Sequence, residues 1–202
     1  RAAVRRRKVG NLILFVLDAS ASMGCRERIE STKKVIGMLL VDAYQKRDRV
    51  GLITFRDDNA QEVLAPTSSV QVAQMRVRDI ATGGATPLNH GLALAYQVAR
   101  REKRRDPDIH PLLVLITDGQ GNVGYASANP LRESLEMAEK LREEGLCGIV
   151  FDTSGDTSAQ RPGKVAFTPA WRIANAMGAD YYHLASLQPQ VLMESLEKRL
   201  QG

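Results

Sequence analysis

The chain has 202 residues, of which 44% are hydrophobic and 25% are charged, a composition typical of one α/β domain with a sizeable core. Its apolar runs all fall short of the roughly 18 residues of a membrane-spanning helix, and its start has no signal-peptide pattern. The net charge of +5 equals the five basic residues of segment 1–8, and the neutral remainder argues against a nucleic-acid-binding surface.

The chain begins with this basic segment. Residues 1–8 contain no acid, and we expect them to form a solvated linker ahead of one domain over residues 9–202. Because residue 1 is Arg rather than Met, we expect the sequence to be a fragment of a longer protein. The two cysteines lack CxxC spacing and fit the reducing cytoplasm, where we expect the protein to be located.

Six runs of residues have the composition of β-strands. Four of them are nearly pure aliphatic, which is typical of strands buried on both faces of a parallel sheet. A short "RDDN" turn separates the second run from the third and predicts a hairpin, so we expect the third strand to be antiparallel at an edge. The predicted strands are 12–17, 50–55, 60–64, 112–117, 147–151 and 181–184.

Helix-like segments separate most of these strands. The dipeptides Asn129-Pro130 and Thr168-Pro169 each combine an N-cap residue with a first-turn proline. The alternation predicts a doubly wound α/β domain, with a mostly parallel sheet of about six strands, one antiparallel edge strand and helices on both faces. The predicted helices are 27–46, 70–80, 87–104, 130–144, 168–177 and 189–200.

Three polar segments are predicted to meet at the carboxyl edge of the sheet, where doubly wound folds bind ligands. The segment "DASAS" follows the first strand, "GGATPL" precedes a helix, and "TDG" ends the fourth strand. The first and fourth strands are neighbours in the common strand order, so their carboxylates should lie side by side. An all-oxygen set suits a hard cation such as Mg²⁺. The candidate metal ligands are Asp18, Ser20, Ser22, Thr86 and Asp118.

Each piece also has a purely structural interpretation. Ser20 or Ser22 could cap the following helix, Thr86 could cap the helix that Pro87 begins, and Asp118 could sit in an ordinary turn. The metal interpretation is favoured because all three polar segments fall at one edge of the sheet. In addition, an extended backbone would point the side chains of Asp18, Ser20 and Ser22 in the same direction. We expect Asp18 to lie at the strand's solvent end, outside the core.

These residues carry a resemblance to a known family. The set Asp18-x-Ser20-x-Ser22, Thr86 and Asp118 resembles the metal-ion-dependent adhesion site of von Willebrand factor A domains. The segments "LILFVLDASASM", "GGATPLNHGLALA", "LLVLITDGQGN" and "MGADYYHL" resemble the C-terminal domain of magnesium chelatase D subunits, in the same order. Ala21 and Ala85 replace usual glycines of that pattern, and Gly121 replaces a usual alanine; none of these changes removes an oxygen ligand.

The resemblance implies a protein-interaction module. It implies that Ser20, Ser22 and Thr86 contact Mg²⁺, with Mn²⁺ as an alternative, while Asp18 and Asp118 act largely through water. The ion would then keep an open position for an acidic side chain of a partner. The implied partners are an AAA+ ATPase subunit, a porphyrin-binding chelatase subunit, or both, in a complex that inserts Mg²⁺ into protoporphyrin IX. No catalytic residue is expected in this domain.

Two other functions are weighed against this one. The module could serve another AAA+ partnership, such as a cobaltochelatase or a MoxR-type ATPase pair. From the enzyme class, Asp18 could be the nucleophile of a phosphoaspartate-type hydrolase, but such enzymes need a second acid two residues on, where this chain has Ser20. A literal G-x-G-x-x-G at 119–124 is discounted because no helix is predicted to start directly after it.

Overall fold

The computed structural model describes residues 11–21, 26–124, 128–154 and 167–184, together with residues 194, 198 and 199. At 26–31, 44 and 147 the description covers the backbone only. Segment 1–8 and Ser22, both named in the sequence predictions, lie outside the described residues. The helix predicted at 189–200 lies outside them too, apart from the three residues just given.

The described elements alternate strand and helix, as the sequence predicts. Every predicted strand is confirmed, and so are five of the six predicted helices, with ends that shift by up to three residues. The strands are β1 (Leu12–Asp18), β2 (Arg49–Arg56), β3 (Asn59–Thr67), β4 (Pro111–Thr117), β5 (Cys147–Asp152) and β6 (Asp180–His183). The helices are α1 (Arg26–Lys46), α2 (Val70–Arg78), α3 (Leu88–Arg105), α4 (Pro130–Glu143) and α5 (Pro169–Met177).

The strands form one six-stranded sheet in the order β3-β2-β1-β4-β5-β6. Only the β2–β3 pair is antiparallel among these described strands, which confirms the predicted edge hairpin. The chain moves outward from β1 to β2 on one side and continues from β4 on the other side. The strand order therefore reverses between β1 and β4, which is where a doubly wound sheet forms a ligand site.

Helices cover both faces of the sheet, and the central strand is buried between them. Residues 12, 14 and 16 of β1 pack in the cluster that includes α3, α4 and α5, whereas residues 13, 15 and 17 pack in the cluster that includes α1 and α2. This alternation is the two-residue period of a strand. It explains the continuous aliphatic sequence of β1, since both faces are in the core.

Two helix starts follow the predicted capping chemistry. The Asn129 side chain accepts a hydrogen bond from the Arg132 N–H, and the Thr168 hydroxyl accepts one from the Trp171 N–H. A proline follows each cap and occupies the first turn. In the part of the chain that is described, no helix combines the length and the apolarity needed to cross a bilayer.

Candidate functional site

The candidate site lies at the carboxyl edge of the sheet, between the loop after β1 and the loop before α3. Two backbone hydrogen bonds join these loops reciprocally. The Ala21 N–H donates to the Gly84 carbonyl at 2.9 Å, and the Gly83 N–H donates to the Ala19 carbonyl at 2.9 Å. The segments that carry Ser20 and Thr86, 66 positions apart in the sequence, are therefore held against each other.

A second reciprocal pair attaches Thr86 to the loop after β4. The Thr86 N–H donates to Asn122 Oδ1 at 2.7 Å, and the Asn122 N–H donates to the Thr86 carbonyl at 3.1 Å. Thr86 itself is 3% exposed. The loop that contains Asp118 is thus anchored to the loop that contains Thr86, and three separate chain segments meet at one place.

Thr86 is not the N-cap of α3, contrary to the structural alternative derived from the sequence. The N-cap is Pro87, with φ −82° and ψ 66°, and it makes no side-chain capping hydrogen bond. The helix begins at Leu88, one residue later than a Thr86 cap requires. The Thr86 hydroxyl is consequently not used to cap the helix and can serve as an oxygen ligand.

Asp18 is buried and held by hydrogen bonds at both carboxylate oxygens. Its Oδ1 accepts from the Ser20 N–H at 2.9 Å, and its Oδ2 accepts from the Thr117 hydroxyl at 2.9 Å. The residue is 1% exposed, so the expectation that it lies at a solvent-facing strand end is wrong. Its two hydrogen-bond partners are the residue two positions later and the last residue of β4.

Burial raises the pKa of Asp18 to about 6, and the nearby Asp118 carboxylate contributes in the same direction. Hydrogen bonds from Ser20 and Thr117 act in the opposite direction because they stabilise the ionised form. Among the described residues, the charged group that acts on Asp18 is Asp118, which is also acidic. Two acidic groups held close together in a buried place are electrostatically suited to a cation.

Asp118 lies on the neighbouring strand end and is 2% exposed. Its Oδ1 accepts the Gln120 N–H at 2.9 Å, as in an ordinary turn of this type, so the structural interpretation holds for that oxygen. The next residue, Gly119, has φ +75°, and a side chain there would collide with the backbone of Ala170 at the start of α5. Glycine is therefore required where this loop passes α5.

Ser20 is fully buried, but the backbone around it is not extended. Strand β1 ends at Asp18 and the chain bends at Ser20, so the argument from extended spacing is wrong beyond the strand end. What brings Ser20 to Asp18 is the hydrogen bond from its own N–H to the carboxylate. Among the described residues, the non-glycine residues with positive φ are Arg47 and Asp57. Ala21 and Ala85 therefore have negative φ, and the backbone at these two positions does not need glycine.

Two residues that organise the candidate site were not among the residues predicted from the sequence. Thr117 is the last residue of β4 and hydrogen-bonds Asp18, while Asn122 holds Thr86. Both stand close to Asp118 in "TDGQGN", and a threonine at the end of an otherwise aliphatic strand was a usable signal for Thr117. Nothing in the local sequence indicates the partner of Asn122.

The arrangement can supply oxygen ligands. Asp18 ends β1, and the other described candidates lie in three loops that hydrogen bonds hold together, namely Ser20, Thr86 and Asp118. The fifth candidate, Ser22, is not described. Across the described residues, no group of three or more His, Cys, Asp or Glu side chains is placed to hold a metal ion. The candidate set differs from such a group because it combines two carboxylates with hydroxyls, a composition that suits Mg²⁺.

A comparison with protein families gives a match to the von Willebrand factor type A domain over residues 13–120. An uncharacterized protein of Mycobacterium tuberculosis is 39% identical over 97% of this chain and 30% of its own length. The magnesium-chelatase 67 kDa subunit of Heliobacterium mobile is 34% identical over 95% of this chain and 28% of its own length. The chain thus spans less than a third of these two relatives.

Solved structures agree on the fold. The crystal structure of the conserved hypothetical protein BatB from Bacteroides thetaiotaomicron superposes with a TM-score of 0.70 at 20% identity, covering 96% of this chain and 100% of that one. At this identity the likeness concerns the fold alone.

The match to the family of von Willebrand factor type A domains extends from β1 past the end of β4 and includes all five candidate positions. The chain belongs to the family of von Willebrand factor type A domains.

Proposed function

We propose that this domain binds one Mg²⁺ ion at the carboxyl edge of its sheet and docks a partner protein through that ion. The observation that carries the proposal is the pair Asp18 and Asp118, two almost inaccessible carboxyl groups on neighbouring strand ends. Burial chiefly, and the Asp118 charge in addition, disfavour the ionised form of Asp18, and a bound cation would offset both effects. Hydroxyl oxygens beside them provide further ligands.

In this proposal the neutral hydroxyls of Ser20, Ser22 and Thr86 contact the ion, and the two carboxylates act on it largely through water. When bound, Mg²⁺ supplies a position that a carboxylate of the partner can occupy, because few of its direct ligands carry negative charge. Mn²⁺ could replace it, since both ions accept oxygen ligands. The domain's own residues orient the ion and the partner, and none of them acts as a catalytic group.

The assembly that we propose is an ATP-driven metal chelatase in the cytoplasm. The similarity to the magnesium-chelatase subunit along almost the whole chain supports this assignment. The partners would be an AAA+ ATPase subunit, a porphyrin-binding subunit, or both, and the complex would insert Mg²⁺ into protoporphyrin IX. A relative with higher identity carries no chelatase name, so another AAA+ partnership, such as a cobaltochelatase or a MoxR-type pair, is kept as the second candidate.

A phosphoaspartate hydrolase is not supported. Both oxygens of Asp18 accept hydrogen bonds from the protein, and the position two residues later is a serine rather than the second acid that this chemistry needs. The glycine pattern at 119–124 is not a phosphate-binding loop either, because α4 starts only at Pro130.

The partner hypothesis is tested by a binding titration. The domain is immobilised, and the AAA+ and porphyrin-binding subunits of the same genome are titrated onto it, once in Mg²⁺ and once in a chelator. The titration in Mg²⁺ is repeated with the immobilised Asp18→Asn variant. We expect the chelator and the variant to weaken binding by an amount on the order of 2–5 kcal/mol, as for the loss of a desolvated charge contact.

Asp108→Asn is the matched control, because it removes one carboxylate from an exposed turn before β4, at the other edge of the sheet. It should bind like the unsubstituted domain. Partner binding that survives both the chelator and Asp18→Asn would refute docking through the metal. Binding to neither chelatase-type subunit, alongside Mg²⁺-dependent binding to another AAA+ protein, would favour the second candidate.

A further inference from the structure

We propose that Asn122 is a positioning residue of the metal site, which acts by placing Thr86 relative to Asp118. The inference rests on the proposed function, because it assigns a role in Mg²⁺ binding to a residue outside the candidate ligand set. Its basis is the reciprocal hydrogen-bonded pair between Asn122 and Thr86, at 2.7 and 3.1 Å.

The loop before α3 depends on other loops for its shape. Gly83 and Gly84 have φ of +142° and +78°, so the backbone that leads to Thr86 takes conformations that few residues favour. The carbonyls of Gly84 and Ala85 accept hydrogen bonds from the N–H groups of Ala21 and Asp57, respectively. Thr86, the next residue, is attached by Asn122. Each of three successive residues is therefore anchored to a different segment.

The anchor at Thr86 differs from the other two because one of its two hydrogen bonds is accepted by a side chain, while the other runs from the Asn122 N–H to the Thr86 carbonyl. A substitution can delete the Asn122 acceptor while leaving the backbone hydrogen bonds of Gly84 and Ala85 in place. Asn122 is also exposed, so its side chain contributes little to the core. Its polar group is used to bind the Thr86 backbone, which links the loop of one candidate ligand, Thr86, to the loop of another, Asp118.

The first experiment measures this link in the domain without added metal. Amide hydrogen exchange of Thr86, followed by NMR, should become faster in Asn122→Ala than in the unsubstituted domain, because its N–H loses its acceptor. Asn122→Asp keeps an oxygen at the same place and should restore slow exchange. Unchanged exchange of the Thr86 amide in Asn122→Ala would overturn the inference without reference to Mg²⁺.

The second experiment titrates each variant with Mg²⁺ by calorimetry. Asn122→Ala should bind Mg²⁺ about tenfold more weakly, which is the lower end of the effect of removing a group that orients a metal ligand. Asn122→Asp should restore the affinity. Because aspartate also adds a negative charge, the double variant Asn122→Ala/Gln120→Glu serves as a control that adds a charge in the same loop without the contact to Thr86.

The outcomes separate this inference from the proposed function. Restoration by Asn122→Asp but not by the double variant would support a positioning role. Equal restoration by both would show that charge alone is responsible and would overturn it, as would equal affinities of Asn122→Ala and the unsubstituted domain. An unsubstituted domain that binds no Mg²⁺ would instead refute the proposed function, and this inference with it.

Discussion

The hydroxyl of Thr117 donates a 2.9 Å hydrogen bond to Oδ2 of Asp18 and thereby joins the carboxyl ends of β1 and β4. The same hydroxyl oxygen accepts the Gly119 N–H at 3.0 Å. All three residues are buried. One side chain thus holds both the carboxylate of the first strand and the backbone just beyond Asp118.

Removal of this hydroxyl should destabilise the domain. Thr117→Val deletes a donor to a buried carboxylate and an acceptor for a buried N–H, at a cost of about 1–3 kcal/mol in the free energy of unfolding. Thr117→Ser keeps the hydroxyl and should lose much less. Urea denaturation of the two variants at pH 7.5 measures the difference; equal losses would show that the methyl group, rather than the hydrogen bonds, matters at this position.

A second buried carboxylate, Asp152, connects β5 to β6 and α5. Its Oδ2 accepts hydrogen bonds from the Tyr181 hydroxyl at 2.6 Å and from the Thr168 hydroxyl at 2.8 Å. Tyr181→Phe should lower the free energy of unfolding by about 1.5–3 kcal/mol, as for a hydrogen bond to a charged group. Tyr96→Phe is the control, because its hydroxyl bonds the exposed Glu144. Similar losses in both variants would contradict a special contribution from Asp152.

The buried Tyr181 hydroxyl, which bonds Asp152, should make the free energy of unfolding fall with pH in the alkaline range. Burial, and then the hydrogen bond to Asp152, raise the pKa of Tyr181 above its usual value of about 10. The neutral phenol is favoured in the folded state, so this stability is complete below pH 10 and is lost as the pH rises through the folded-state pKa. Denaturation at pH 8 and pH 11 should show a smaller alkaline loss in Tyr181→Phe; an identical loss would contradict the linkage.

Gly84 is required by the loop that precedes Thr86. It has φ +78°, and a side chain there would collide with the Asp57 carboxylate. Gly84→Ala should therefore cost about 1 kcal/mol or more. Gly37→Ala is the matched control: Gly37 lies within α1 with no atom near its missing side chain, and alanine there should stabilise by about 0.5–1 kcal/mol. Thermal unfolding of both variants checks the opposite signs, and a stabilising Gly84→Ala would contradict the loop geometry.

The fold could be predicted from the sequence because its signals are local. The aliphatic runs of β1 and β4, the short turn between β2 and β3, and the Asn-Pro and Thr-Pro caps each determine structure within a few residues. The strand order followed from the common doubly wound arrangement, because parallel strands connected by helices have few alternatives.

The relative positions of the candidate residues were easier to predict from the sequence than the contacts around them. The neighbouring positions of Asp18 and Asp118 follow from strand order. The burial of Asp18, the bend at Ser20 and the position of Thr86 ahead of the helix cap depend on contacts between loops. The hydrogen bonds of Thr117 and Asn122 reach residues 99 and 36 positions away, and no local pattern encodes such pairs.

Calorimetric titration of the domain with Mg²⁺ tests the central claim most directly. The unsubstituted domain and Asp108→Asn should bind one ion weakly, with stabilisation of about 1.4 kcal/mol when free Mg²⁺ is ten times the dissociation constant. Asp18→Asn should remove the binding heat. Because its amide nitrogen cannot accept one of the two hydrogen bonds that Asp18 receives, a urea denaturation curve must show that the variant is folded under the titration conditions. Absence of binding to the unsubstituted domain, or undiminished binding to Asp18→Asn, would contradict a metal site at this edge of the sheet.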